Sequence, residues 1–63
     1  MYVIVSVKEN GIILPPVACV TEREVSDYMN VQALYLGYVA MITPTHFRIE
    51  DIHYYVYKQL HPS

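Results

Sequence analysis

The residues able to do chemistry are few and scattered: one cysteine, Cys19, three histidines, His46, His53 and His61, and the adjacent acids Glu50 and Asp51. A cysteine nucleophile needs a base within hydrogen-bond reach and a third group to orient that base. Nothing in the spacing of Cys19 and the histidines selects such a set, and a free cysteine ordinarily packs as a small apolar residue. On a helix, adjacent side chains such as Glu50 and Asp51 diverge by about 100°, too far to share a substrate. They are expected instead as acids matched to the positive end of a helix. On one helix His53 and His61 would stand about 12 Å apart along the axis, beyond the reach of a single ion. No cysteine pair or His/Cys cluster has zinc-ligand spacing. The expectation is a protein that is not an enzyme and holds no metal or other cofactor.

Tyrosine is the residue type that stands out. There are seven, and three of them fall in the stretch Ile52-His53-Tyr54-Tyr55-Val56-Tyr57-Lys58-Gln59-Leu60-His61. Tyrosine gives a large contact area with few rotors and one hydrogen-bonding tip, which is why it is enriched in binding surfaces. At the margin of a core it lies with its ring packed and its phenol in water. Both readings stand for Tyr54, Tyr55 and Tyr57. On the first they form, with Lys58, a protein-contact surface. Tyr35 and Tyr38 are the corresponding candidates for self-association. A base-stacking platform would need an electropositive groove along the phosphates, and Lys58 with Arg48 is thin provision.

Charge bounds the partners further. The chain of 63 residues has a net charge of −2, and its four basic residues, Lys8, Arg23, Arg48 and Lys58, are dispersed. Nucleic-acid binders carry a basic face that displaces counterions from phosphates, so nucleic acid is disfavoured. A hydrophobic fraction of 54% in so short a chain exceeds what one small core can hide. With a lone cysteine precluding an internal disulfide, association is the natural supplement, and a homodimer is expected. Residues 28–47 carry no formal charge, but the densely apolar part, residues 31–42, spans only twelve positions. A membrane-crossing helix needs about 20, so no membrane span is expected. The N-terminal apolar run lacks a basic leader and a small-residue cleavage site, and the unpaired thiol suits a reducing compartment, so a cytoplasmic protein is expected.

These residues must be positioned by one domain covering residues 1–63. Val3, Val5 and Val7 alternate as in a strand, Asn10-Gly11 is a strong hairpin signal, and Ile12-Ile13-Leu14 leads back. Pro15-Pro16 cannot sit in a central strand, so the return strand ends early, lies at an edge, or resumes at residues 17–20. Thr21 and Glu24 make a capping box in which each side chain serves the other residue's amide. Val25, Tyr28 and Met29 then share a helical face. At Asn30 the stripe shifts. A restart with Asn30 as cap aligns Val31, Leu34, Tyr35, Tyr38, Met41 and Ile42 on a second helix. The competing pattern ends the helix at Gly37 and makes residues 38–43 a strand. Beyond Thr43-Pro44-Thr45, Ile49, Ile52, Val56 and Leu60 recur every three or four residues, with acids early and Lys58, His61 and Pro62 late. That predicts a terminal helix. The strand alternative sets Ile52, Tyr54 and Val56 against His53, Tyr55 and Tyr57.

The order of signals from Val20-Thr21-Glu22-Arg23-Glu24-Val25 through Asn30-Val31-Gln32 to Phe47-Arg48-Ile49-Glu50-Asp51-Ile52 resembles excisionase-like and MerR-like winged-helix regulators. The match is one of pattern and spans residues 20–58. It implies a helix-turn-helix DNA-binding regulator of transcription or recombination, reading DNA through Gln32, Arg23 and Arg48. The segment matching the family's recognition helix, residues 32–40, has no basic residue. The expected fold is α+β: an N-terminal β-hairpin followed by two or three helices, winged-helix-like, or alternatively ββαβα with a strand at 38–43. The expected function is a small non-enzymatic regulatory or interaction protein acting by protein–protein contact, with the phage, viral or plasmid setting that the resemblance suggests.

Overall fold

The computed structural model describes residues 1–59. Its elements run β1 (Tyr2–Lys8), β2 (Val17–Cys19), α1 (Glu22–Leu36), β3 (Val39–Thr43), β4 (His46–Ile49) and β5 (Ile52–Lys58). The strands form one antiparallel sheet in the order β2-β1-β5-β4-β3, and α1 packs on one face of it.

The first turn follows from its residues. Gly11 donates to the Lys8 carbonyl at 2.8 Å with φ of +90°, and the Asn10 carboxamide accepts from the Ile12 amide at 3.1 Å. The chain stays against β1 through a Val7–Ile13 bridge and the bond from Leu14 N to Ser6 O. Pro15 and Pro16, without amide protons, break this pairing. It resumes where Val17 meets Ile4 and Cys19 meets Tyr2.

Thr21 caps α1, its hydroxyl accepting from the Glu24 amide at 3.2 Å. The Glu24 carboxylate reaches one residue further back than a reciprocal box requires, accepting from the Val20 amide at 2.7 Å. Val25 and Met29 are the buried residues of the helix. Its end is set by Gly37, whose amide donates to Ala33 O at 2.9 Å and whose φ of +121° suits glycine.

Two expectations are overturned here. The helix does not restart at Asn30; it runs unbroken to Leu36, and residues 39–43 form strand β3 rather than a second helix. Nor does a helix follow Pro44: β4 and β5 form a hairpin whose two-residue turn is Glu50-Asp51. Among the described residues the architecture is therefore one helix on a five-stranded sheet, neither a β-hairpin followed by two or three helices nor ββαβα. The residues expected to end the terminal helix, Leu60, His61 and Pro62, lie outside the described ones.

Strand register sorts side chains to two faces, because cross-strand partners point the same way. Ile4, Ser6, Tyr54, Ile52, Phe47, Ile49, Val39, Met41 and Cys19 fall on the helix side. The core is the cluster of Ile4, Cys19, Val25, Met29, Ile49, Ile52 and Tyr54. Five strands about 4.8 Å apart span roughly 19 Å, whereas a helix is about 10 Å across. Among the described residues one helix thus covers half of one face, and no element covers the other. Among the described residues no helix is long and apolar enough to cross a membrane.

Candidate functional surface

The bare face is built by β1, β5 and β4. Val3 pairs with Tyr57, Val5 with Tyr55 and Val7 with His53. His46 pairs with Tyr55, and Arg48 with His53. Alternation along each strand sends these residues away from the core, and none of them belongs to the core cluster. Val3, Val5, Val7, His46, His53 and Tyr55 are half-buried by mutual contact, while Tyr57 is 58% exposed. The face thus has an aliphatic–aromatic stretch and a polar corner.

In the polar corner His46 Nε2 lies 2.8 Å from His53 Nδ1, so one ring donates a proton to the other. The His46 ring stacks on Tyr55 with centroids 4.3 Å apart and planes tilted by 19°. On the far side of His53, Nε2 comes within 3.9 Å of Glu9 Oε1, and the same carboxylate oxygen pairs with Arg48 Nη2 at 3.1 Å. Arg48 Nε donates to Glu50 O at 2.9 Å. Arg48, Glu9, His53, His46 and Tyr55 thus form one connected file across the sheet.

What the file can do is limited by where its atoms point. A tetrahedral metal holds two imidazole nitrogens about 3.3 Å apart with both lone pairs aimed at the ion. Here the two nitrogens are bonded to each other, so the rings would have to part. Among the described residues no group of three or more His, Cys, Asp or Glu is arranged to hold a metal ion. Cys19 lies on the helix side, so the sheet itself separates it from both histidines. Burial and the nearby Glu24 carboxylate also push its thiol above the usual range, which suits packing rather than nucleophilic attack.

The tyrosines divide between the faces. Tyr55 and Tyr57 stand on the bare face with His53, as the strand alternative arranges them. Tyr54 faces α1, is only 2% exposed, and is a core residue rather than a contact residue. Burial, with Tyr28 and Asp51 nearby, raises the pKa of its phenol. Lys58 pairs with Tyr2 and so lies on the helix-side face, exposed at a strand end and apart from Tyr55 and Tyr57. Tyr35 and Tyr38 are 83% and 87% exposed, Tyr35 on α1 beside exposed Leu34, and Tyr38 between α1 and β3.

The residues expected to read DNA do not converge. Arg23 and Gln32 belong to α1 on one side of the sheet; Arg48 is on the other side, held by Glu9. No second helix follows α1 among the described residues. Sequence reasoning missed the pairing of His46 with His53. The signal was the alternation His46/Arg48 and His53/Tyr55/Tyr57 on either side of Glu50-Asp51, which a hairpin folds onto one face.

The sequence matches no protein-family model, and neither curated proteins nor solved structures yield a match.

Proposed function

We propose that this chain is a non-enzymatic interaction module that binds a protein partner through the bare face of its sheet. The observation that carries this reading is the aromatic and aliphatic surface of Tyr55, Tyr57, Val3, Val5 and Val7, which nothing else in the described chain covers. Tyr57 and Tyr55 are the anchors. A buried tyrosine commonly contributes about 2 kcal/mol or more to such an interface. The file from Arg48 to His46 supplies a polar rim, which gives orientation more than affinity.

Charge argues for protein over nucleic acid. Of the described basic residues only Arg48 is on this face, and Glu9 neutralises it. A stacking platform for bases needs cations along the phosphates as well as aromatic rings. A reducing, cytoplasmic setting suits the unpaired, buried Cys19.

The test compares wild type with a Tyr55→Ser/Tyr57→Ser variant as bait in its host, with captured proteins identified by mass spectrometry and their affinities measured with purified components. A partner whose affinity falls at least thirtyfold in the variant supports the reading. A partner bound equally by both baits overturns it. So does retention on random duplex DNA with steep salt dependence and no protein partner.

A further inference from the structure

We infer that the free edge of β3 pairs with the same edge of a second copy, joining two sheets into one ten-stranded sheet about a two-fold axis. The inference begins from the difference between the two edges. An uncovered edge strand offers a row of unpaired amides and carbonyls, which monomeric proteins blunt with short strands, prolines, charges or bulges. The β2 edge is blunted: it is three residues long and follows directly on Pro15-Pro16. The β3 edge has five residues, Val39–Thr43, with no charge and no proline among them. Its bulge, between Met41 and Thr43, and the following Pro44 disturb its second half and leave Val39–Met41 in regular register.

Side chains around this edge are exposed out of proportion to their polarity. Met41 is 67% and Ile42 51% exposed, and Tyr38 stands immediately before the strand. Met41 lies on the helix side, where a groove separates β3 and β4 from α1. Two adjoining recesses, of about 430 and 260 Å³, form this groove and share Val25, Ser26, Met41 and Phe47 in their walls. On the bare side Tyr38 and Ala40 line a shallow recess whose other walls are the charged side chains of Arg48, Glu50 and Asp51. An added strand therefore meets an apolar groove on the helix side and the Tyr38 ring on the other, as well as hydrogen-bonding groups along the edge, the combination used in strand addition.

A second copy is the occupant that this chemistry fits. Antiparallel pairing of β3 with itself sets Val39 and Met41 of each copy beside the other's on the helix side. Residues 28–47 carry no formal charge, so the two identical edges meet without repulsion despite a net charge of −2 per chain. A foreign partner is ordinarily selected and held in register by charge, and the strand itself, Val39–Thr43, offers none. Covering an aromatic such as Tyr38 removes about 150–250 Å². With Met41, Ile42, the groove wall and the strand edge, each copy contributes roughly 600–800 Å², the lower half of the standard interface range. The contact is isologous and closed, so it stops at a dimer.

Sedimentation of the full chain over a concentration series, beside the variants Met41→Lys/Ile42→Lys and Leu34→Lys/Tyr35→Lys, tests this. The expected result is a reversible dimer whose dissociation constant rises at least tenfold in the strand variant and is unchanged in the helix variant. All four positions are exposed, and circular dichroism verifies that each variant stays folded. Hydrogen exchange gives a second readout: β3 amides facing away from β4 should be protected only at dimer-forming concentrations. A monomer throughout the series overturns the inference. So does a dimer that withstands the strand variant, or one dispersed by the helix variant. Tyr55→Ser/Tyr57→Ser should leave the dimer intact, which separates this contact from the bare-face surface.

Discussion

His46 and His53 are bonded ring to ring, Nε2 to Nδ1 at 2.8 Å, across the β4–β5 hairpin. The bond fixes one proton between two half-buried rings, while Tyr55 stacks on His46 and holds its plane. An intramolecular hydrogen bond contributes about 0.5–1.5 kcal/mol net. His46→Phe keeps the stacking on Tyr55 but removes that partner from His53, and His53→Phe does the converse. Either substitution should cost about 1 kcal/mol. The double variant should cost less than the sum, with a coupling of at least about 0.5 kcal/mol. Urea unfolding of the four proteins at neutral pH measures this. Strict additivity would mean that the two rings do not act on each other.

Tyr54 and Tyr55 are adjacent in sequence and opposite in role. Tyr54→Ala empties a core position between Ser6 and Phe47, and loss of a large aromatic from a core costs about 3–5 kcal/mol. In a domain this small that is enough to unfold much of the population. Tyr57→Ala removes an exposed ring and should change stability by less than about 1 kcal/mol. Thermal unfolding followed by circular dichroism should rank them in that order. Equal losses would contradict the assignment of the two faces.

The phenols of Tyr54 and Tyr28 are both raised above 10.0, in each case mainly by burial. A raised acid keeps its proton longer in the folded state than in the unfolded one. Below the unfolded value both states are protonated and the stability is complete. As pH rises past about 10 the unfolded state releases protons first, so stability falls until the folded phenols also ionise. Cys19, raised from 9.0 by burial and Glu24, acts in the same direction from a lower pH. Unfolding free energy should therefore be level near neutrality and decline above about pH 9. Tyr54→Phe should flatten the decline, as seen by urea titrations across that range.

What the sequence made legible was what local chemistry decides. Asn10-Gly11 and Thr21 through Glu24 announce a turn and a helix start because their side chains bond the backbone beside them. The last third was misread for a geometric reason. On the helix side of the hairpin the residues are Phe47 and Ile49, then Ile52, Tyr54 and Val56. A two-residue turn changes the step from two to three between Ile49 and Ile52, so Ile49, Ile52 and Val56 imitate a helical stripe. Met41 and Ile42 joined a similar false stripe with Val31 and Leu34. All four are exposed in the structure, so the apolar pattern there records uncovered surface rather than an inner face. The divided tyrosines followed from the same error, because only a period of two separates Tyr54 from its neighbours on either side.

The turn that hid the hairpin also carries the chain's local strain. Glu50, first residue of the two-residue loop, has φ of +54°, the sole non-glycine at positive φ among the described residues. Two-residue hairpin loops favour glycine at such a position because a side chain there crowds the backbone, at about 1–2 kcal/mol. Its carboxylate also bounds Gly37, where an added Cβ would meet Glu50 Oε1 at 3.1 Å. Glu50→Gly relieves the strain but frees more of the unfolded chain, for a net gain of about 0.5–1 kcal/mol. In a domain of this size that raises the melting temperature by roughly 2–8 °C. Gly37→Ala should do the opposite and lose at least about 1 kcal/mol, since φ of +121° is denied to alanine whatever the space. If crowding by the carboxylate adds to that loss, Gly37→Ala should cost less in the Glu50→Gly background than alone. Equal costs in both backgrounds would place the whole penalty in the Gly37 backbone.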